Sequence, residues 1–99
     1  MRIFVSTEVF ETITTIEEVT RVRQAVVQQI KKIMDSGKLE LAWAAADARR
    51  AMFIFNVDSA VEVRELLDGA FLDHFKVETH PITSLEEAVK FIEEHPLGR

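Results

Sequence analysis

Ser/Thr-x-x-Glu boxes punctuate the chain at Thr15-Ile16-Glu17-Glu18, Ser59-Ala60-Val61-Glu62 and Ser84-Leu85-Glu86-Glu87. They constrain the fold more than any other feature. In such a box a hydroxyl accepts from a free amide of the first helical turn and the Glu reaches back, so each box marks a helix start. Apolar residues at helical spacing follow each box, and runs of β-branched and aromatic residues lie between them.

The first helix is expected from Ile16 to Asp35. Ile16, Val19, Val22, Val26, Val27, Ile30, Ile33 and Met34 form its apolar stripe, with Glu17, Arg21, Gln24, Gln28 and Lys31 opposite. Gly37 supplies the left-handed residue that ends it. The second helix is expected from Ala60 to Asp68, stopped by Gly69, and the third from Leu85 to Glu94, closed by Pro96. Strands are expected over Arg2 to Val9, Lys38 to Ala46, Arg50 to Val57 and Phe75 to Ile82, with Pro81 near a strand end where a lost donor costs least. A turn at Asp47-Ala48 makes the middle strands an antiparallel hairpin. Phe71-Leu72-Asp73-His74 reads as a short loop or single turn. The order β-α-β-β-α-β-α specifies an α+β fold: a ferredoxin-like βαββαβ unit with an antiparallel four-stranded sheet and an extra C-terminal helix, as a single domain over residues 1–99.

The hairpin sets the mode of association. Ala51, Phe53, Phe55 and Val57 point one way, and Met52 and Ile54 the other. On the preceding strand Leu39, Leu41 and Trp43 share a face, and Glu40, Ala42 and Ala44 lie opposite. A sheet with helices on one side only alternates apolar with polar; this one is apolar on both. One short helix folding back does not cover four strands, so the second face is expected to pack on another copy of the chain.

The net charge of −5 argues against a broad basic surface, so no nucleic acid is expected. Lacking cysteine, the chain has no disulfide, thiolate metal site or cysteine nucleophile. There is no zinc-ligand spacing and no glycine-rich phosphate loop, and neither a metal nor a cofactor is expected. Ile3-Phe4-Val5 is too short for a leader core and no stretch approaches a membrane span, so a cytoplasmic protein without membrane contact is expected.

With that architecture in view, Gly37 to Ser59 resembles muconolactone delta-isomerase and its relatives. The family shows a Gly, a Trp six residues on, a hairpin, an aromatic strand ending in Phe-Asp-Val and a Ser cap; here stand Gly37, Trp43 and Phe53-Ile54-Phe55-Asn56-Val57-Asp58-Ser59. Phe71-Leu72-Asp73-His74-Phe75 is similar to the family's Leu-Phe-x-x-Met segment. The resemblance implies a dimeric α+β barrel, a pocket between the sheet and helices of each protomer, and oligomers larger than the dimer. The chain also departs from the pattern. The family's Arg after the Trp is Ala44, its hairpin Gly is Asp47, and its third-strand Tyr and Asn are Arg49 and Ala51. Those changes remove polar groups that would contact a lactone carboxylate.

Several residues can carry chemistry. His74, Lys76, Glu78 and His80 share parity on the last strand and suit a proton shuttle, or equally an edge strand guarded by charge. Glu8 shares a face with Phe4 and Ser6, as a general base or a solvated strand end. Arg49 and Arg50 flank the hairpin turn, as contacts for a carboxylate or phosphate or as solvated turn residues. The expected function is small-molecule binding by a homodimer or higher homo-oligomer, with cofactor-independent isomerase chemistry of the resembled type. His74 or His80 would be acid-base and Glu8 the second base, with Arg50 as anion contact and Phe4, Ser6, Trp43 and Met52 lining the site. Alternatives on the same barrel are a non-catalytic ligand sensor and a monooxygenase.

Overall fold

The protein's structure, a computed structural model, describes residues 1–95, so the expected closure at Pro96 lies outside the described residues. The elements are β1 (Arg2–Val9), α1 (Ile16–Asp35), β2 (Leu39–Ala44), β3 (Arg50–Asn56), α2 (Ala60–Leu67), α3 (Ala70–His74), β4 (Phe75–Pro81) and α4 (Leu85–Glu94). The strands form one antiparallel sheet in the order β2-β3-β1-β4, the ferredoxin-like arrangement. The residues expected as a short loop or single turn before β4 form the short helix α3.

Two of the boxes cap as expected. Thr15 Oγ1 accepts from the Glu18 amide (3.1 Å) and Ser84 Oγ from the Glu87 amide (3.1 Å). The third works differently. The Ser59 side chain makes no capping bond, while the Glu62 carboxylate accepts from the Asp58 amide (2.6 Å) and from the Lys38 ammonium. That ammonium holds the Glu62 carboxyl below its ordinary range, helped by the Asp58 amide; the carboxylate in turn raises Lys38. Gly37 takes the left-handed φ of +74° just past the end of α1.

The helices α1, α2 and α3 lie on one sheet face. Ile3, Val5, Phe53 and Phe55 are buried there with Val22 and Ile33 of α1, Val63, Leu66 and Leu67 of α2, and Phe71 of α3. Phe53 stacks on Phe55 at 5.5 Å and meets the Phe71 ring edge-on at 5.4 Å. A bulge between Leu39 and Leu41 corrects the expected parity of β2. Leu39 pairs with Phe55 and packs on this core, whereas Leu41 and Trp43 pair with Ile54 and Met52 on the opposite face. The apolar stripe of α1 is also wider than its covered part, since Ile16, Val27 and Met34 remain exposed.

One buried polar side chain ties the helical layer together. Gln29 Nε2 donates to the carbonyls of Leu66 (3.0 Å) and Asp68 (2.7 Å), and its Oε1 accepts from the Phe71 amide (3.1 Å). Gln29 thus satisfies the end of α2 and the start of α3 from within α1. Gly69, between them, has a φ of +115°, and a Cβ there would press on Gln29 Oε1 at 3.4 Å.

α4 does not fold back over the sheet. None of its residues is buried, it makes no extensive contact with another element among the described residues, and the molecule extends 53 Å along its longest axis.

Two outcomes follow from these contacts. Gln29→Leu keeps the volume but leaves an amide and two carbonyls unpaired, and should lower the unfolding free energy in urea by about 2–4 kcal/mol. The Glu62–Lys38 pair should also shape the pH dependence of Tm. Glu62, with its pKa lowered, contributes stability above its ordinary value of 4.5, and this is lost as pH falls through the lowered one. Lys38, with its pKa raised, contributes below its ordinary 10.5, and this is lost as pH rises through the raised one. In Glu62→Gln the acid-side decline of Tm should be shallower than in the unsubstituted chain.

Candidate functional site

The register assembles the sheet face that the helices leave open row by row. Trp43, Met52, Ser6 and Glu78 form one row, and Leu41, Ile54, Phe4 and His80 the next. Beyond the first row stand Arg50, Glu8 and Lys76. The apolar part of this face lies over β2, β3 and β1, and the β4 edge is charged. Phe4 lies between Trp43 (ring centroids 6.2 Å) and His80 (6.4 Å, stacked). Trp43 is 44% exposed and Leu41 54%. Among the described residues no helix of the protomer covers these large side chains.

The polar groups on this face pair with each other. Arg50 Nε is 3.5 Å from the Glu8 carboxylate, Lys76 Nζ 3.8 Å from Glu78, and His80 Nε2 3.9 Å from Glu78. Glu8 is half-exposed and engaged by Arg50, so no apolar wall surrounds its carboxylate within the protomer.

His74 is not in this group. It closes α3 rather than opening β4, and lines a shallow depression on the helix side with Glu18, Arg21 and Val22. At about 3.3 Å per residue, it stands about 20 Å along the chain from His80. The expected strand set is therefore Lys76, Glu78 and His80 alone. Of the expected site residues, Phe4, Ser6, Glu8, Trp43, Arg50, Met52 and His80 share the open face, and His74 lies apart.

An apolar cleft of about 500 Å³ lies elsewhere, between α1 and the turn that joins β2 to β3. That size suits a small organic ligand. Val9, Val22, Val26 and Phe75 line its apolar wall, and Arg23, Asp47 and Arg49 bring charge to it. The backbone fixes the turn. Ala48 N–H donates to Ala45 (2.9 Å), Asp47 Oδ1 accepts from the Arg49 amide (3.0 Å), and the Arg49 carbonyl accepts from Val9 (2.9 Å). Ala48 itself takes a φ of +61°, where glycine is the easier residue. Sequence reasoning found Arg49 but missed Arg23 and Asp47. A sign of Arg23 was present: it interrupts a stripe of valines at positions 19, 22, 26 and 27, at the edge of the covered face of α1. Among the described residues no three His, Asp or Glu side chains converge as a metal site, and no helix is long and apolar enough to cross a membrane.

A four-stranded antiparallel sheet with helices on one face and large apolar residues on the other is the protomer of a dimeric α+β barrel. The chain belongs to the muconolactone delta-isomerase family, whose model matches residues 2–89. That match runs well beyond the Gly37–Ser59 stretch that carried the resemblance and takes in every strand. Comparison with curated proteins gave no match.

Proposed function

We propose that the protein is a homodimer, built by packing the open sheet faces of its protomers, that binds a small, largely apolar molecule bearing a carboxylate. The cleft between α1 and the β2–β3 turn supports the ligand, and one observation carries this reading: an apolar hollow of about 500 Å³ with Arg23 and Arg49 at its wall. Guanidinium groups at an apolar hollow favour a planar anion, because a carboxylate takes paired N–H donors while its carbon skeleton leaves water.

The open face supports the dimer. Phe4, Ile54, Leu41, Trp43 and Met52 form a patch that a second copy covers with the same residues. On this reading Phe4, Ser6, Trp43 and Met52 are first of all interface residues, and Glu8, Arg50, Glu78 and His80 its polar rim.

Family membership favours an isomerase as the chemistry of the cleft. Asp47 is the carboxylate at its wall and the residue we assign to proton transfer there. His80 and Glu8, on the opposite face of the sheet, would serve a ligand held between the protomers.

Isothermal titration calorimetry with a panel of lactone and aromatic carboxylates, each beside its methyl ester, tests the assignment. An acid should bind more tightly than its ester, and Arg23→Ala and Arg49→Ala should each weaken it by about 10–100-fold, the worth of a hydrogen bond to a charged group. Asp47→Asn should keep binding and abolish lactone turnover. Equal binding of acid and ester, unchanged by either arginine substitution, would contradict the anion site.

A further inference from the structure

The cleft between α1 and the β2–β3 turn is built from two kinds of side chain and lacks the kind between them. Arg23, Asp47 and Arg49 are fully charged, and every other residue that lines it is Val, Ile, Ala or Phe. Among the described residues of its wall there is no hydroxyl, carboxamide, imidazole or indole. The backbone does not make up the lack. Residues 19–30 lie within α1, where amides and carbonyls are committed to the helix. In the turn, the Ala45 amide donates to the Arg50 carbonyl (3.0 Å), the Ala48 amide to the Ala45 carbonyl (2.9 Å) and the Arg49 amide to the Asp47 carboxylate (3.0 Å). An ether, ester or hydroxyl oxygen carried into the hydrocarbon part would lose its water there and gain no partner.

The hydrocarbon also has length. Toward the C-terminal end of α1 the wall continues past Arg23 with Val26, Val27 and Ile30, over about 10 Å at about 1.5 Å per residue. No charged residue lines the cleft on α1 beyond Arg23. Val26 and Ile30 are half-buried against the core, and Val27 is 49% exposed. Valine and isoleucine are stiff at χ1, so this wall keeps its shape without a ligand. Asp47 is held to its own turn by the Arg49 amide, and the two guanidiniums leave the charged part of the cleft net positive.

We infer that the ligand is an open-chain aliphatic carboxylate. Its carboxylate meets Arg23 and Arg49, and its unsubstituted hydrocarbon tail lies along Val26, Val27 and Ile30. This rests on the anion site proposed above and names the skeleton that the carboxylate carries. A compact acid with a lactone ring or hydroxyl groups matches the guanidiniums equally well, but its remaining oxygens meet only valine and isoleucine.

Calorimetry of the full chain with straight-chain acids from butanoate to decanoate, each beside its methyl ester, tests the assignment. Affinity should rise by about two- to fourfold with each methylene until the cleft is full, the worth of one methylene leaving water. A lactone or hydroxylated acid with the carbon number of octanoate should bind about tenfold more weakly than octanoate, for want of a partner to its extra oxygens. Val27→Asn, at an exposed helical site, should weaken octanoate by about threefold or more and leave butanoate unchanged. Acids that bind more tightly than their esters but show no dependence on chain length would overturn the aliphatic ligand and leave the anion site standing. So would a lactone acid that equals octanoate, or a Val27→Asn effect of the same size on butanoate and octanoate. Esters that bind as tightly as their acids, or no binding of any acid, would overturn both.

Discussion

The structure depends on a sheet that is apolar on both sides and roofed by its own helices on one. Phe53 and Phe55 alternate with Met52 and Ile54 along β3, so no rotation of that strand hides both sets behind α1, α2 and α3. The helical layer covers the phenylalanines. Met52 and Ile54, with Phe4, Leu41 and Trp43 beside them, are left to something outside the protomer. Apolar surface gains free energy on leaving water, at about 25 cal/mol per Å². A face of this composition is therefore an interface in waiting rather than a neutral surface.

The two faces of the sheet carry different groups. On the helix side, α1 and the hairpin turn enclose the cleft with Arg23, Asp47 and Arg49, within the protomer. On the open side, the charged groups sit toward β4 and the turn end, where Arg50 meets Glu8 and Glu78 meets His80. Charge on the β4 edge also keeps that strand from pairing with another sheet. On the proposed reading ligand binding and self-association draw on different residues, and a substitution on one side should leave the other intact.

How much of this is legible in the sequence depends on the range over which each feature is determined. The caps at Thr15 and Ser84 are set within one helical turn and read correctly from the residues alone. Ser59 reads the same way but behaves differently, because Lys38, just before β2, engages Glu62 across 24 positions. Alternation along β3 is legible because the strand is regular. Alternation along β2 misleads at Leu39, since an inserted residue at the bulge is invisible to a period-two pattern. His74 leaves the expected strand set because α3 extends to that residue, a matter of one boundary position. The cleft lies furthest from the sequence. Arg23 and Arg49 are separated by a helix end and a strand, and only the tertiary fold brings both to one hollow.

Trp43 reports on the central claim directly, since it is the only tryptophan and sits on the open face. Its emission and acrylamide quenching, followed on dilution from micromolar to nanomolar protein beside the sedimentation mass, show whether that face is covered. The account predicts a blue-shifted, protected indole at the higher concentrations, with twice the 11.3 kDa chain mass, turning red-shifted and quenchable as the mass falls to that of one chain. An indole equally quenchable at every concentration, on a species of 11.3 kDa throughout, would contradict it.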